Sequence, residues 1–142
     1  MVRFLFMIVI LCLSAPAMAQ LESPFLPTTP TVPRAFGAIS STPQCFNVVN
    51  TAPYTVYGSI HSNFFVRPDG IKTRHKSNFR LAPDDYNEFC TTGPFYDGNK
   101  VELVLRSLVP IFTCKTIATG NIIVQGRRLP EGGTETKALC IQ

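Results

Sequence analysis

Five cysteines and two histidines are the most reactive side chains of this 142-residue sequence, and their spacing limits the chemistry open to them. Cys45, Cys90, Cys114 and Cys140 are scattered, none stands in a C-x-x-C pair, and His61 and His75 lie far from all of them. A redox centre needs a paired or activated thiol. A zinc site needs closely spaced Cys/His pairs. Scattered cysteines in even number, in a small exported domain, read instead as two disulfides. Three pairings are possible. The favoured one joins Cys45 to Cys90 and Cys114 to Cys140, which ties the C-terminal strand onto the sheet. The runner-up, Cys45 with Cys140 and Cys90 with Cys114, staples the two ends of the domain together.

Other catalytic patterns are missing. The sequence holds no G-x-S-x-G, H-E-x-x-H, P-loop or G-x-G-x-x-G. Two histidines leave little room for a Ser-His-acid triad. Asp84, Asp85 and Glu88 form the densest acidic group, without the ligand series of a Ca²⁺ loop, and read as a turn with its cap. The expectation is a protein that is not an enzyme and that uses no cofactor and no metal.

The densest charge is positive. Arg67, Lys72, Arg74, His75, Lys76 and Arg80 follow one another with Asp69 as the sole acid among them. On a hairpin and its following loop these side chains make a basic face suited to phosphate groups, lipopolysaccharide or an acidic protein. The plainer reading is a charged edge that discourages strand pairing. Arg67, Lys72, Arg74, Lys76 and Arg80 are the candidate ligand-binding residues.

Elements upstream give the context. Arg3 precedes an apolar run from Phe4 to Leu13, and Ala17-Met18-Ala19 reads as an A-x-A cleavage site before Gln20. Residues 1–19 are thus expected to be a secretory signal peptide, cleaved between Ala19 and Gln20. The run is shorter than the ~20 apolar residues of a membrane span, so no transmembrane segment is expected after cleavage. Cys12 lies within the apolar run, behind Ile10 and Leu11, and reads as an apolar signal residue rather than a lipidation site. Cleavage lowers the net charge from +4 to +3, a mild excess that gives no reason to expect nucleic acid. A periplasmic or secreted location follows, with a protein partner in the envelope or extracellular space.

Residues 20–44 form a Pro/Thr/Ser-rich extended arm. Pro24, Pro27, Pro30 and Pro33 recur every third position, one turn of polyproline II. Sheet and helix are expected to be excluded there, because each proline removes a donor. The arm is a spacer or a docking strip for a partner. From Cys45 to Gln142 the pattern is β. About seven or eight short strands, punctuated by turns such as Pro68-Asp69-Gly70 and Asp97-Gly98-Asn99, indicate an all-β domain, a small antiparallel sandwich or barrel stapled by disulfides. Val101 to Ser107 is the clearest strand, with Val101, Leu103 and Leu105 on one face and Glu102 and Arg106 on the other.

The order of features resembles a set of uncharacterised small secreted bacterial β-domains. The elements are Cys45-Phe46-Asn47 with Asn50-Thr51, the strand Tyr54 to Tyr57, Leu81-Ala82-Pro83 leading to Cys90, and Phe112-Thr113-Cys114. The resemblance covers Cys45 to Cys114 and implies a disulfide-bearing β-domain with no assigned activity. Two functions are expected from these readings, with a small secreted hydrolase as the remaining alternative. One is an exported, non-enzymatic binding or assembly component of the envelope or of an extracellular complex. The other is a binder of anionic ligands or surfaces through Arg67 to Arg80.

Overall fold

The computed structural model describes residues 34–142. The signal segment, its cleavage site and the proline series of the arm lie outside the described residues. Nine strands follow in order: β1 (Arg34–Ala35), β2 (Gln44–Asn50), β3 (Val56–Val66), β4 (Lys72–Leu81), β5 (Tyr86–Thr91), β6 (Lys100–Arg106), β7 (Pro110–Ile117), β8 (Gly120–Arg128) and β9 (Thr134–Leu139). They form two sheets. In the first, β3 carries β4 on one side, and on the other β6 along Tyr57 to His61 and β1 at Phe65 and Val66; β7 lies beyond β6. The second runs β5-β2-β8-β9.

Alternation builds the core. Along each strand every second side chain points to the same face. Val56, Ile60, Phe79, Leu81, Val101, Leu103 and Leu105 of the first sheet meet Phe46, Val48, Phe89, Ile122 and Val124 of the second, all buried. Each such side chain taken from water contributes roughly 1.5–3 kcal/mol. The Phe89 ring stacks on Phe46 and meets Phe79 edge-on, with centroids 5.9 Å apart in both pairs. Gly58 makes this possible, because a Cβ there would collide with the Phe79 ring.

Both disulfides have the favoured pairing. Cys45–Cys90 joins directly opposed residues of β2 and β5 within the second sheet. Cys114–Cys140 joins β7 to the segment after β9 and so links the two sheets. Beside it, the Ile117 N–H donates to the Ile141 carbonyl at 3.0 Å and the Ile141 N–H to Thr116 Oγ1 at 3.1 Å. At the opposite edge the buried Asn50 closes the sandwich. Its Nδ2 donates to the carbonyls of Tyr54 and Ala82 at 2.9 Å, with that of Leu81 at 3.1 Å, and its Oδ1 accepts the Ala52 N–H at 2.9 Å.

Three expectations are corrected. The arm does not stay out of the sheet: Arg34 and Ala35 pair with Val66 and Phe65, Ala38 bridges Phe95, and Gln44 opens β2. Between Pro33 and Pro43 no proline interrupts the chain, so these backbone donors are available for pairing. The sandwich is not wholly antiparallel either. Strand β2 pairs β8 in parallel from Phe46↔Gly120 to Asn50↔Val124, a crossover made possible because β3 to β7 intervene between them in the chain. Finally, residues 74–77 are not a loop after the hairpin. After the turn at Gly70 (φ 81°), β4 runs unbroken to Leu81.

Candidate functional site: a basic sheet face over a buried Ser-His-Glu relay

The outer face of the first sheet gathers the cations. Its register places Arg80, Tyr57 and Arg106 in one cross-strand row. The next row holds Asn78, Ser59, Val104 and Thr113, and the third Lys76, His61, Glu102 and Lys115. A bulge between His61 and Phe64 restores the phase, so that Phe64 opposes Arg74 and Val66 opposes Lys72 on the same face. Lys72, Arg74, Lys76 and Arg80 share this face because they lie an even number of residues apart on β4.

Aromatic rings orient several of these charges. Lys72 Nζ lies 4.6 Å from the Phe64 centroid and 5.0 Å from that of Phe36. The Arg74 guanidinium lies 5.2 Å from Phe64, Arg80 lies 5.9 Å from Tyr57, and Lys115 Nζ lies 4.3 Å from Tyr96. Such stacking holds long side chains in place and leaves their charge exposed to a partner. Arg67 departs from the group. It sits beyond the end of β3 and pairs with Asp69 at 2.7 Å. Of the candidate residues, the structure therefore brings Lys72, Arg74, Lys76 and Arg80 onto one face, leaves Arg67 at the hairpin turn, and adds Arg106 and Lys115 from distant parts of the chain.

Beneath the charges runs a hydrogen-bonded chain. Ser59 Oγ lies 2.9 Å from His61 Nε2, His61 Nδ1 lies 3.2 Å from Glu102 Oε2, and Arg74 donates to the same oxygen at 2.5 Å. Ser59 and His61 are 0 % and 3 % exposed. Burial pushes the imidazole below its ordinary pKa, the Arg74 and Lys76 charges act the same way, and the Glu102 interaction opposes them. For Glu102 burial acts upward, but hydrogen bonds from His61 and Arg74 outweigh it and hold the carboxyl below its ordinary value. A neutral His61 then donates from Nδ1 to the carboxylate and accepts the Ser59 hydroxyl at Nε2. The connectivity is that of a Ser-His-acid triad. Its serine is sealed inside the sheet face, however, so no substrate carbonyl reaches Oγ in this conformation. The relay satisfies buried polar groups and fixes Arg74.

Sequence reasoning missed this group. Its signal was there as Ser59-x-His61 on a strand, which puts both side chains on one face. Glu102 joins them only through the β3–β6 register. Glu88 lies beside Cys45 and Cys90, but both sulfurs are in the disulfide and offer no thiolate to a metal. Asp84 and Asp85 form a turn between β4 and β5, as expected, with Asp84 at φ 62° and Asp85 Oδ1 accepting the Tyr86 N–H at 2.9 Å. Beside the basic face, where β4 and β5 splay, a cleft of about 500 Å³ has Phe46, Ile60, Phe89 and Val101 in its floor and His75 and Lys76 at its rim.

No protein-family model, curated protein or solved structure matches this chain. Among the described residues, no helix is long and apolar enough to cross a membrane.

Proposed function

We propose that this protein is an exported, non-catalytic β-sandwich module that binds an anionic partner in the cell envelope or extracellular space. One observation carries the reading. The strands of the first sheet hold eight Lys and Arg residues, Arg34, Lys72, Arg74, Lys76, Arg80, Lys100, Arg106 and Lys115, and Glu102 is their sole acid. Glu102 itself is engaged by Arg74 and His61. A surface of one sign raises the local concentration of an opposite charge and speeds its association. The two disulfides suit an oxidising compartment, and the signal-like segment supports export to the periplasm or the medium.

The test is binding to inorganic polyphosphate at low and high salt. Lys76→Glu with Arg80→Glu is expected to weaken binding by about 30-fold, the equivalent of ~2 kcal/mol for two charges at an anionic surface. Binding that ignores both salt and these substitutions overturns the reading.

A further inference from the structure

One end of the sandwich carries a feature that folding does not use. The β6–β7 turn and the start of β7 present Leu108, Val109 and Ile111 to solvent, with exposures of 101 %, 64 % and 46 %. The Ser107 N–H donates to the Val109 carbonyl at 3.0 Å, which makes the turn tight. A contiguous apolar prong of this kind marks an interaction site rather than a core residue left outside.

The groups behind the prong say what it meets. Between the strand ends lies a cavity of about 170 Å³ whose lining includes Tyr54, Tyr57, Arg106, Ser107, Ile111 and Thr134. Arg106 Nε is buried and has no hydrogen-bond partner among the described residues. The Arg106 side chain as a whole is partly exposed and lines this cavity, so an anion seated there can supply acceptors to its guanidinium. Two further arginines flank this end, Arg80 5.9 Å from the Tyr57 ring and Arg128 6.0 Å from the Tyr54 ring. Apolar side chains foremost, tyrosine rings behind them and arginines at the same level match the layers of a bilayer surface: acyl chains, interface and phosphate.

We propose that this end docks on an anionic phospholipid bilayer. Leu108, Val109 and Ile111 enter the acyl boundary, Arg106 takes a lipid phosphate at the cavity, and Arg80 and Arg128 face neighbouring headgroups. The proposal rests on the reading of the first sheet as anion-binding and names a phospholipid as the anion. A soluble polyanion satisfies the arginines but leaves the prong in water, and this separates the two ideas.

The experiment uses the chain from Gln20 onward, phosphatidylcholine vesicles with and without phosphatidylglycerol, and polyphosphate. The protein has no tryptophan, so Leu108→Trp gives a single fluorescent reporter on a fully exposed site. Its emission is expected to shift to the blue on vesicles containing phosphatidylglycerol and to be quenched by lipids brominated in the acyl chain. Leu108→Ser with Val109→Ser is expected to lower vesicle partitioning at least about tenfold, the loss of two buried apolar side chains without a change of charge, and to leave polyphosphate binding unchanged. No blue shift, or partitioning undiminished by the two serines, overturns membrane docking. If polyphosphate still binds, the anionic-partner reading survives that result; if nothing anionic binds, both fall.

Discussion

The two sheets solve the same folding problem on their inner faces and differ on their outer ones. Inside, both present buried Val, Ile and Phe at alternate positions, joined in the first sheet by Leu81, Leu103 and Leu105. Outside, the first sheet carries a basic surface over a buried polar centre, Ser59, His61 and Glu102. The second carries a row of Tyr86, Val49, Ile123 and Leu139 across its four strands, and its charges nearly balance: Arg127, Arg128 and Lys137 against Glu88 and Glu135. Arg127 and Glu135 even pair with each other at 2.7 Å. Packing constrains the inner faces alike, so their similarity says little about function. The outer faces are not needed to fill the core, and the asymmetry of charge between them is what supports assigning the proposed anion binding to the first sheet.

The contrast is open to experiment, beginning with what holds the sheets together. Removing the inter-sheet bridge with Cys114→Ala and Cys140→Ala is expected to cost about 3.5 kcal/mol in urea unfolding, the loop-closure value for a separation of 26 residues. A loss below ~1 kcal/mol means that Cys114–Cys140 does not secure that edge. At the other edge, Asn50→Ala strands the Ala82 carbonyl and the Ala52 N–H and is expected to cost about 2–3 kcal/mol. Thermal melting checks this, and an unchanged Tm shows that the β4–β5 turn is anchored by other contacts.

Charge reversal on the second sheet is the control for the first. Lys137→Glu with Arg127→Glu is expected to change polyphosphate affinity less than about threefold, against about 30-fold for Lys76→Glu with Arg80→Glu. Equal losses on the two sheets erase the functional contrast between them.

The smallest expected effect separates the sheets by pH. The folded state holds His61 below its ordinary pKa of 6.5 and Glu102 below 4.5. The unfolded chain therefore binds more protons, and stability falls as pH drops through these two values. His61→Gln keeps a side chain able to hydrogen-bond and is expected to flatten the slope of stability between pH 7 and 5, leaving the Glu102 part below that. A slope unchanged by His61→Gln assigns the acid sensitivity to other groups.

Much of the architecture is legible from local pattern. The alternation of Val101, Leu103 and Leu105 with Glu102 and Arg106 gives β6 and its inward face, and Pro68-Asp69-Gly70 gives the β3–β4 turn. Cys45–Cys90 and Cys114–Cys140 are the pairing favoured from their positions. The edges of the domain are harder to read. Pro33 and Pro43 mask the pairing of Arg34 and Ala35, because a proline-rich composition says nothing about the donors between two prolines. The bulge after His61 is invisible in the sequence too, although it sets which face Phe64, Arg74 and Lys72 share. Of the basic site, the run on β4 is legible and its distant members are not: Arg106 and Lys115 join it only by register.

Local pattern in the chain specifies an all-β fold, the inward face of β6 and the cluster of cations on β4, because alternation and turn chemistry act over a few residues. The parallel β2–β8 pair, the Ser59–His61–Glu102 relay and the seating of Arg106 beside an exposed Leu108 arise only from long-range packing. These depend on which strands become neighbours across long stretches of chain. That choice is made by the packing of two whole sheets, and no short window of sequence contains it.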